Sequence, residues 1–243
     1  MHNQINKIIS FLLTFLVLSG AGFAQNSLIH HEINAKVNPS VSFLEVIDEI
    51  TIPEKLVSSK LKFKLHNALT VSSLIEGINI ELINKDIKAN DVGMDREESG
   101  SSYDLLLNEY RILYPTGYTG DLNLQLKYSG KIESPIEQSA ENYARGFNES
   151  PGIISDIGIY LAGSTYWVPY FSDELITFNL TATTPAGWKT VSQGKRTRDE
   201  DVDDKHVDQW DSPEPMEEVF LISAKFTEYD YTVGAVTAMA FLR

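Results

Sequence analysis

The run Asp121-Leu122-Asn123-Leu124-Gln125-Leu126-Lys127-Tyr128 alternates polar and apolar residues without a break. Only a backbone with a two-residue repeat puts Leu122, Leu124, Leu126 and Tyr128 on one face, so this octapeptide reads as a half-buried strand. The same period returns along most of the chain. Ile29 to Asn38 places Ile29, His31, Ile33, Ala35 and Val37 on one face. Val41 to Ile52 does so with Phe43, Val46, Ile50 and Ile52, apart from one phase change that suggests a bulge. Asn38-Pro39-Ser40 between them supplies a hairpin turn. Further strands are expected at 61–65, 68–75, 78–83, 103–107, 109–113, 157–161, 166–169, 175–183, 189–193, 206–210 and 218–224, and between Tyr229 and Leu242 with a kink at Gly234. No segment shows the i, i+3, i+4 spacing of an amphipathic helix. The expected fold class is therefore all-β: an antiparallel β-sandwich or a saddle-shaped pair of sheets, with little helix.

The first residues follow a different logic. Lys7 is a short basic region, and Ile8 to Leu18 is an apolar stretch too short to span a bilayer. Gly22 and Ala24 are small residues at the −3 and −1 positions of a cleavage site. Residues 1–24 are thus expected to be a signal peptide, leaving 25–243 as a single exported domain, periplasmic or extracellular. No later stretch is apolar enough to be a membrane span.

Composition narrows the function classes. Twenty Lys and Arg stand against 34 Asp and Glu, a formal net charge of −14, which disfavours nucleic-acid binding. The absence of cysteine excludes thiolate metal sites and a cysteine nucleophile. His30-His31-Glu32 lacks metal-site spacing, since adjacent strand residues face opposite ways. His66 and His206 stand alone in sequence. Asp199, Asp201 and Asp203 match the start of a calcium loop. The sixth position, however, is Asp204 rather than Gly and the twelfth is Trp210 rather than Glu. A weak calcium site there is weighed against a solvated hairpin whose charge Arg196 and Arg198 offset. No catalytic nucleophile–base set can be placed.

Two further features stand out. Ser129 to Gly152 breaks the strand pattern and is expected to be a long crossing loop, with a helical turn around 137–143. Tyr160, Tyr166, Trp167, Tyr170 and Phe171 form an aromatic cluster. It reads either as a peptide or glycan platform or as core and domain-interface packing.

The ordered motifs resemble a known family. His31 to Pro39 followed by Phe43 to Pro53 is similar to the first hairpin of the N-terminal β domain of aminopeptidase N-like zinc metallopeptidases. Leu122 to Gly130 resembles its L-x-L-x-Y-x-G strand. Trp167-Val168-Pro169 with Phe178 to Pro185 resembles its W-x-P and F-x-L-x-x-x-x-P segments, and Ser192-Gln193-Gly194 the S-x-G that follows. Thr232 to Arg243 is similar to its closing strands. The resemblance implies a non-catalytic domain that packs on a separate catalytic domain or chain and walls its substrate cleft. Tyr160, Tyr166, Trp167, Tyr170 and Phe171 would then lie at that cleft or interface. The H-E-x-x-H zinc helix does not occur in the sequence, so zinc would belong to the catalytic part and this chain is expected to be inert alone. The alternative expectation is a stand-alone secreted module that binds peptide or glycan on an accessible Trp167. One departure from the family matters: Tyr160 stands nine residues before the W-x-P proline, where many members carry a Glu or Gln that holds the substrate's amine.

Overall fold

The computed structural model describes residues 28–88, 105–134, 150–172 and 174–243. The expected signal peptide, the helical turn at 137–143 and Asp173 lie outside the described residues. Among those described, the strands in chain order are β1 (Ile29–Asn38), β2 (Phe43–Ile52), β3 (Lys62–His66), β4 (Leu69–Ser73), β5 (Asn79–Lys88), β6 (Leu106–Leu113), β7 (Leu122–Lys131), β8 (Gly152–Ser155), β9 (Gly158–Leu161), β10 (Ile176–Pro185), β11 (Lys189–Val191), β12 (Lys195–Val202), β13 (Lys205–Met216), β14 (Leu221–Ala224), β15 (Thr227–Val233) and β16 (Val236–Leu242). Strand accounts for 65% of the structure and helical turns for 5%, in several antiparallel sheets that do not close into a barrel, so the chain is all-β.

The largest sheet runs β12-β13-β10-β1-β2-β7-β4. The two most regular sequence patterns, β1 and β7, flank β2, and β1 is the middle strand of the seven, because strands with one continuous apolar face can be covered along their whole length. β1 also pairs with β10 in parallel, from Ile29 opposite Ile176 to Lys36 opposite Thr183. This parallel pair is the exception in an otherwise antiparallel architecture. A four-stranded sheet (β11-β14-β9-β8) and a three-stranded sheet (β3-β6-β5) cover the large one, and β15 and β16 form a separate two-stranded ribbon. Side chains from the first three sheets merge in one apolar core. Val46, Leu124, Leu126 and Phe178 come from the large sheet, Leu161 and Leu221 from the second, and Phe63, Leu65 and Ile112 from the third.

Several expectations need correction. β2 has no bulge: its register to β7 is unbroken from Phe43 to Ile52. The phase change arises because Asp48 occupies a core position between Val46 and Ile50, while Phe43 faces out. Residues 106–107 and 109–113 belong to one strand, β6, rather than to two, and residues 103–104 lie outside the described residues. The charged stretch after Gly194 is a strand, β12, and Gly234 sits in the β15–β16 turn with φ +61° rather than at a kink.

Asp48 is tolerated in the core because it is paired. The Nδ1 of His31 lies 2.9 Å from Asp48 Oδ2, and the Tyr128 hydroxyl donates to the same oxygen at 3.3 Å. All three side chains are fully buried, one each on the neighbouring strands β1, β2 and β7. His30 points to the opposite face, where Nδ1 lies 2.8 Å from Thr177 Oγ1 and Nε2 lies 3.1 Å from Glu32.

Candidate functional site

The aromatic cluster follows β9. A single 3-10 turn, Gly163–Thr165, leads into it. Thr165 fixes this turn: its hydroxyl donates to the Pro151 carbonyl at 2.5 Å and accepts from the Ala162 N–H at 3.0 Å. A side chain at Gly152 would overlap Thr165. Tyr166 then adopts a left-handed backbone with φ +52°, which turns the chain toward the edge of β3. The N–H of His66 donates to the Tyr166 carbonyl at 2.8 Å. Lys64 and Tyr170 exchange two backbone bonds of 2.9 Å.

Residues 166–169 are therefore not the strand expected from sequence. They lie along β3, joined to it by the His66–Tyr166 backbone bond and, just beyond Pro169, by the Lys64–Tyr170 bridge. The left-handed Tyr166 bends the backbone, and Pro169 has no N–H to give.

The five aromatics separate into distinct environments. Trp167 is 1% exposed and its indole N–H donates to the Val219 carbonyl at 2.9 Å. Phe171 is buried beside Phe63 and His31, with ring centroids 5.7 and 6.1 Å away. Tyr166 is buried and meets the half-buried Tyr170 edge-to-face, at 5.3 Å between centroids. Tyr160 faces solvent from β9. Four of the five line one shallow groove with a cavity volume of about 30 Å³, and Tyr160 does not. The expected accessible platform on Trp167 is absent, because that indole is spent on packing and on the Val219 bond.

The opposite wall of the groove is the segment before β14: Glu217, Glu218 and Val219. The Ser192-Gln193 motif holds it in place. Gln193 donates to the Glu218 carbonyl at 3.0 Å and accepts from the Phe220 N–H at 2.8 Å, while the Ser192 hydroxyl donates to the Phe220 carbonyl at 2.7 Å. Glu218 in turn accepts from the Gly163 N–H at 2.7 Å. A Cβ at Gly163 would overlap the Glu218 side chain, so glycine is needed for this approach. Glu174 adds a third carboxylate, and no cationic side chain is among the residues lining the groove. The groove thus has an apolar floor under an acidic rim. Sequence reasoning missed Glu217 and Glu218 and gave Glu174, beside Asp173, no role, because the three are drawn together from two segments more than forty residues apart.

The acidic run also has a definite place. Asp199 and Asp201 lie on β12, opposite Asp208 and His206 of β13. Asp203 is in the tight turn between them, with φ +54°. Asp199, His206 and Asp208, rather than Asp199, Asp201 and Asp203, bring ligand atoms within 4.8 Å of one another. His206 is thus not the isolated residue its sequence neighbourhood suggests.

No family model and no curated protein matches this sequence. Solved structures do match its fold. The M1 zinc metallopeptidase from Deinococcus radiodurans superposes with a TM-score of 0.52 at 18% identity, over 86% of this chain and 45% of that one. A mutant of it bound to the substrate Tyr-Ser-Ala gives a TM-score of 0.53 at 17% identity over the same shares. At such identity the likeness establishes a common fold. The chain spans less than half the length of these structures.

Proposed function

We propose that this chain is a non-catalytic β domain that packs on a zinc-aminopeptidase catalytic domain or a separate catalytic chain, and walls part of its substrate cleft. The fold likeness supports the domain assignment, and the aromatic, acid-rimmed groove supports the cleft. In this reading the protein is exported and the catalytic zinc belongs to its partner. Glu174, Glu217 and Glu218 offer carboxylates for a substrate amine, whereas Tyr160 lies outside the groove.

The observation that carries the packing role is the outward face of the β15–β16 ribbon. Thr227 pairs with Leu242, Tyr229 with Ala240, Tyr231 with Ala238, and Val233 with Val236. All these side chains point one way, and Tyr229, Tyr231, Val233, Val236 and Leu242 are 56–72% exposed. The other face docks on the body: Phe241 packs on Phe226, and Arg196 pairs with Glu228. A contiguous apolar sheet face of this kind is unusual on a free-standing protein and marks a surface that is covered in the assembly. In this reading the occupant is a metallopeptidase body, which the structural neighbours carry beyond the share this chain spans.

The test is affinity isolation of the tagged chain from its own source. Recovery of a zinc metallopeptidase bearing H-E-x-x-H, lost in the Tyr231→Glu/Val236→Glu variant, is the expected result. Steady hydrolysis of aminoacyl arylamides by the purified chain with added zinc, surviving re-purification, would overturn the non-catalytic reading.

A further inference from the structure

The β12–β13 hairpin holds a buried polar cluster that the proposed function does not use. His206 is 1% exposed and Asp208 is fully buried. His206 Nδ1 lies 2.8 Å from Asp201 Oδ1. An ionised carboxylate only accepts, so Nδ1 carries a proton. In the Nδ1-protonated tautomer the lone pair of Nε2 faces Asp199 Oδ1 and Asp208 Oδ2, each 3.3 Å away. Neither approach has hydrogen-bond geometry. His206 Nε2 and Asp208 Oδ1 are both buried without a hydrogen-bond partner. Two buried electron-pair donors without a partner, beside the partly exposed Asp199 carboxylate, call for a positive centre among them.

Charge and geometry indicate which centre. Four carboxylates meet here: Asp199, Asp201, Asp208 and Glu228. The cations facing them are Lys189, 2.6 Å from Asp199 Oδ1, and Arg196, which reaches Asp199, Asp208 and Glu228. With His206 neutral, the cluster is two charges negative, which a divalent ion cancels. A tetrahedral zinc ion with bonds of about 2.0–2.1 Å holds its ligand atoms about 3.3–3.4 Å apart, which matches both Nε2 distances. An imidazole ligand favours zinc over calcium, which takes oxygen ligands.

We propose that Asp199, His206 and Asp208 form a zinc site, with a fourth position open to water. Asp201 orients His206 through Nδ1, as outer carboxylates orient metal-bound histidines. The backbone N–H and hydroxyl of Thr190 hold Asp208 Oδ2 at 2.8 and 2.7 Å. Asp199, at the surface end of the cluster, gives the ion a route from solvent. Lys189 competes for Asp199 Oδ1 and must swing out when the ion binds. This site shares no residue with the aromatic groove and does not depend on the aminopeptidase reading.

The test is titration of the chelator-stripped full chain with Zn²⁺ against a chromogenic competitor, with Co²⁺ as a spectroscopic probe. The expected result is one ion per chain and the intense visible bands of four-coordinate cobalt. Asp199→Asn and His206→Gln should each weaken binding about tenfold or more, while Lys189→Met strengthens it several-fold and Asp204→Asn leaves it unchanged. Asp199 is partly exposed, so that variant reports on the ion even if His206→Gln does not fold. Binding unaltered in Asp199→Asn would place the ion elsewhere and overturn the proposal. Failure to take up either metal, with His206 doubly protonated at neutral pH by nitrogen-15 NMR, would identify the cluster as an ion pair.

Discussion

The indole N–H of Trp167 donates to the carbonyl oxygen of Val219 at 2.9 Å, and this bond joins the aromatic segment to the opposite wall of the groove. Replacing Trp167 by Phe keeps a large apolar ring but leaves a buried carbonyl without its donor. The expected cost is about 1–3 kcal/mol, read as a lower urea midpoint at unchanged slope. Trp188 and Trp210 are also buried, so the wild-type emission should be blue-shifted and weakly quenched by acrylamide. Strong quenching would contradict this packing.

His66 should make the fold acid-sensitive. Burial lowers its pKa from 6.5 to about 4, and Nδ1 accepts from the Ala68 N–H at 3.0 Å, so protonation there also breaks a bond. Below pH 6.5 the unfolded chain takes up a proton that the native state refuses. Stability contributed by the neutral ring is therefore complete above pH 6.5 and lost as pH falls toward 4, by roughly 3 kcal/mol in all. Urea unfolding of wild type and His66→Gln across this range checks the assignment; parallel pH profiles would refute it.

The His31–Asp48–Tyr128 network predicts an asymmetric mutational response. Asp48→Ala strands His31 and Tyr128 in the core and should cost about 3–5 kcal/mol. The double replacement His31→Leu/Asp48→Leu removes both partners and should be far milder, so a thermal-unfolding cycle should be strongly non-additive. Burial, then the charge and hydrogen bond of Asp48, raise the Tyr128 pKa well above 10. Unfolded Tyr128 ionises above pH 10 and native Tyr128 does not, so this contribution to stability is complete below pH 10 and declines above it. Spectrophotometric titration should show one tyrosine of the folded chain still protonated well above pH 10, and its loss in Tyr128→Phe.

The apolar ribbon face should self-associate when charge is screened. At low ionic strength the net charge of −14 keeps copies apart; at high salt that repulsion is lost. Sedimentation should show a shift to dimers or larger species in high salt, absent in Tyr231→Ser/Val236→Ser. A strict monomer at both salts would argue against the face as a docking surface.

Much of the strand content was legible in the residues. β1 and β7 follow from period-2 alternation alone, because a strand's two faces are a property of its own backbone. Where the reading slipped, a tertiary partner had overruled the local pattern. Asp48 sits where an apolar residue belongs because His31, two strand positions along the neighbouring β1, neutralises the cost. Tyr166 to Pro169 carry strand-like residues, yet a left-handed turn and a proline leave them a single backbone bond to β3, from His66 to Tyr166.

What the sequence by itself determined is the class of architecture: many short amphipathic strands, no amphipathic helix, and a strongly acidic surface. Only the tertiary structure decided which residues meet. The parallel pairing of β1 with β10 joins segments about 147 positions apart. The register of β12 on β13 turns a lone His206 and a surface acidic run into a buried cluster. The fold also hides Trp167 while leaving Tyr231 and Val236 in water. Periodicity is set by neighbours along one strand, whereas convergence depends on pairing and register between strands, which local pattern does not specify.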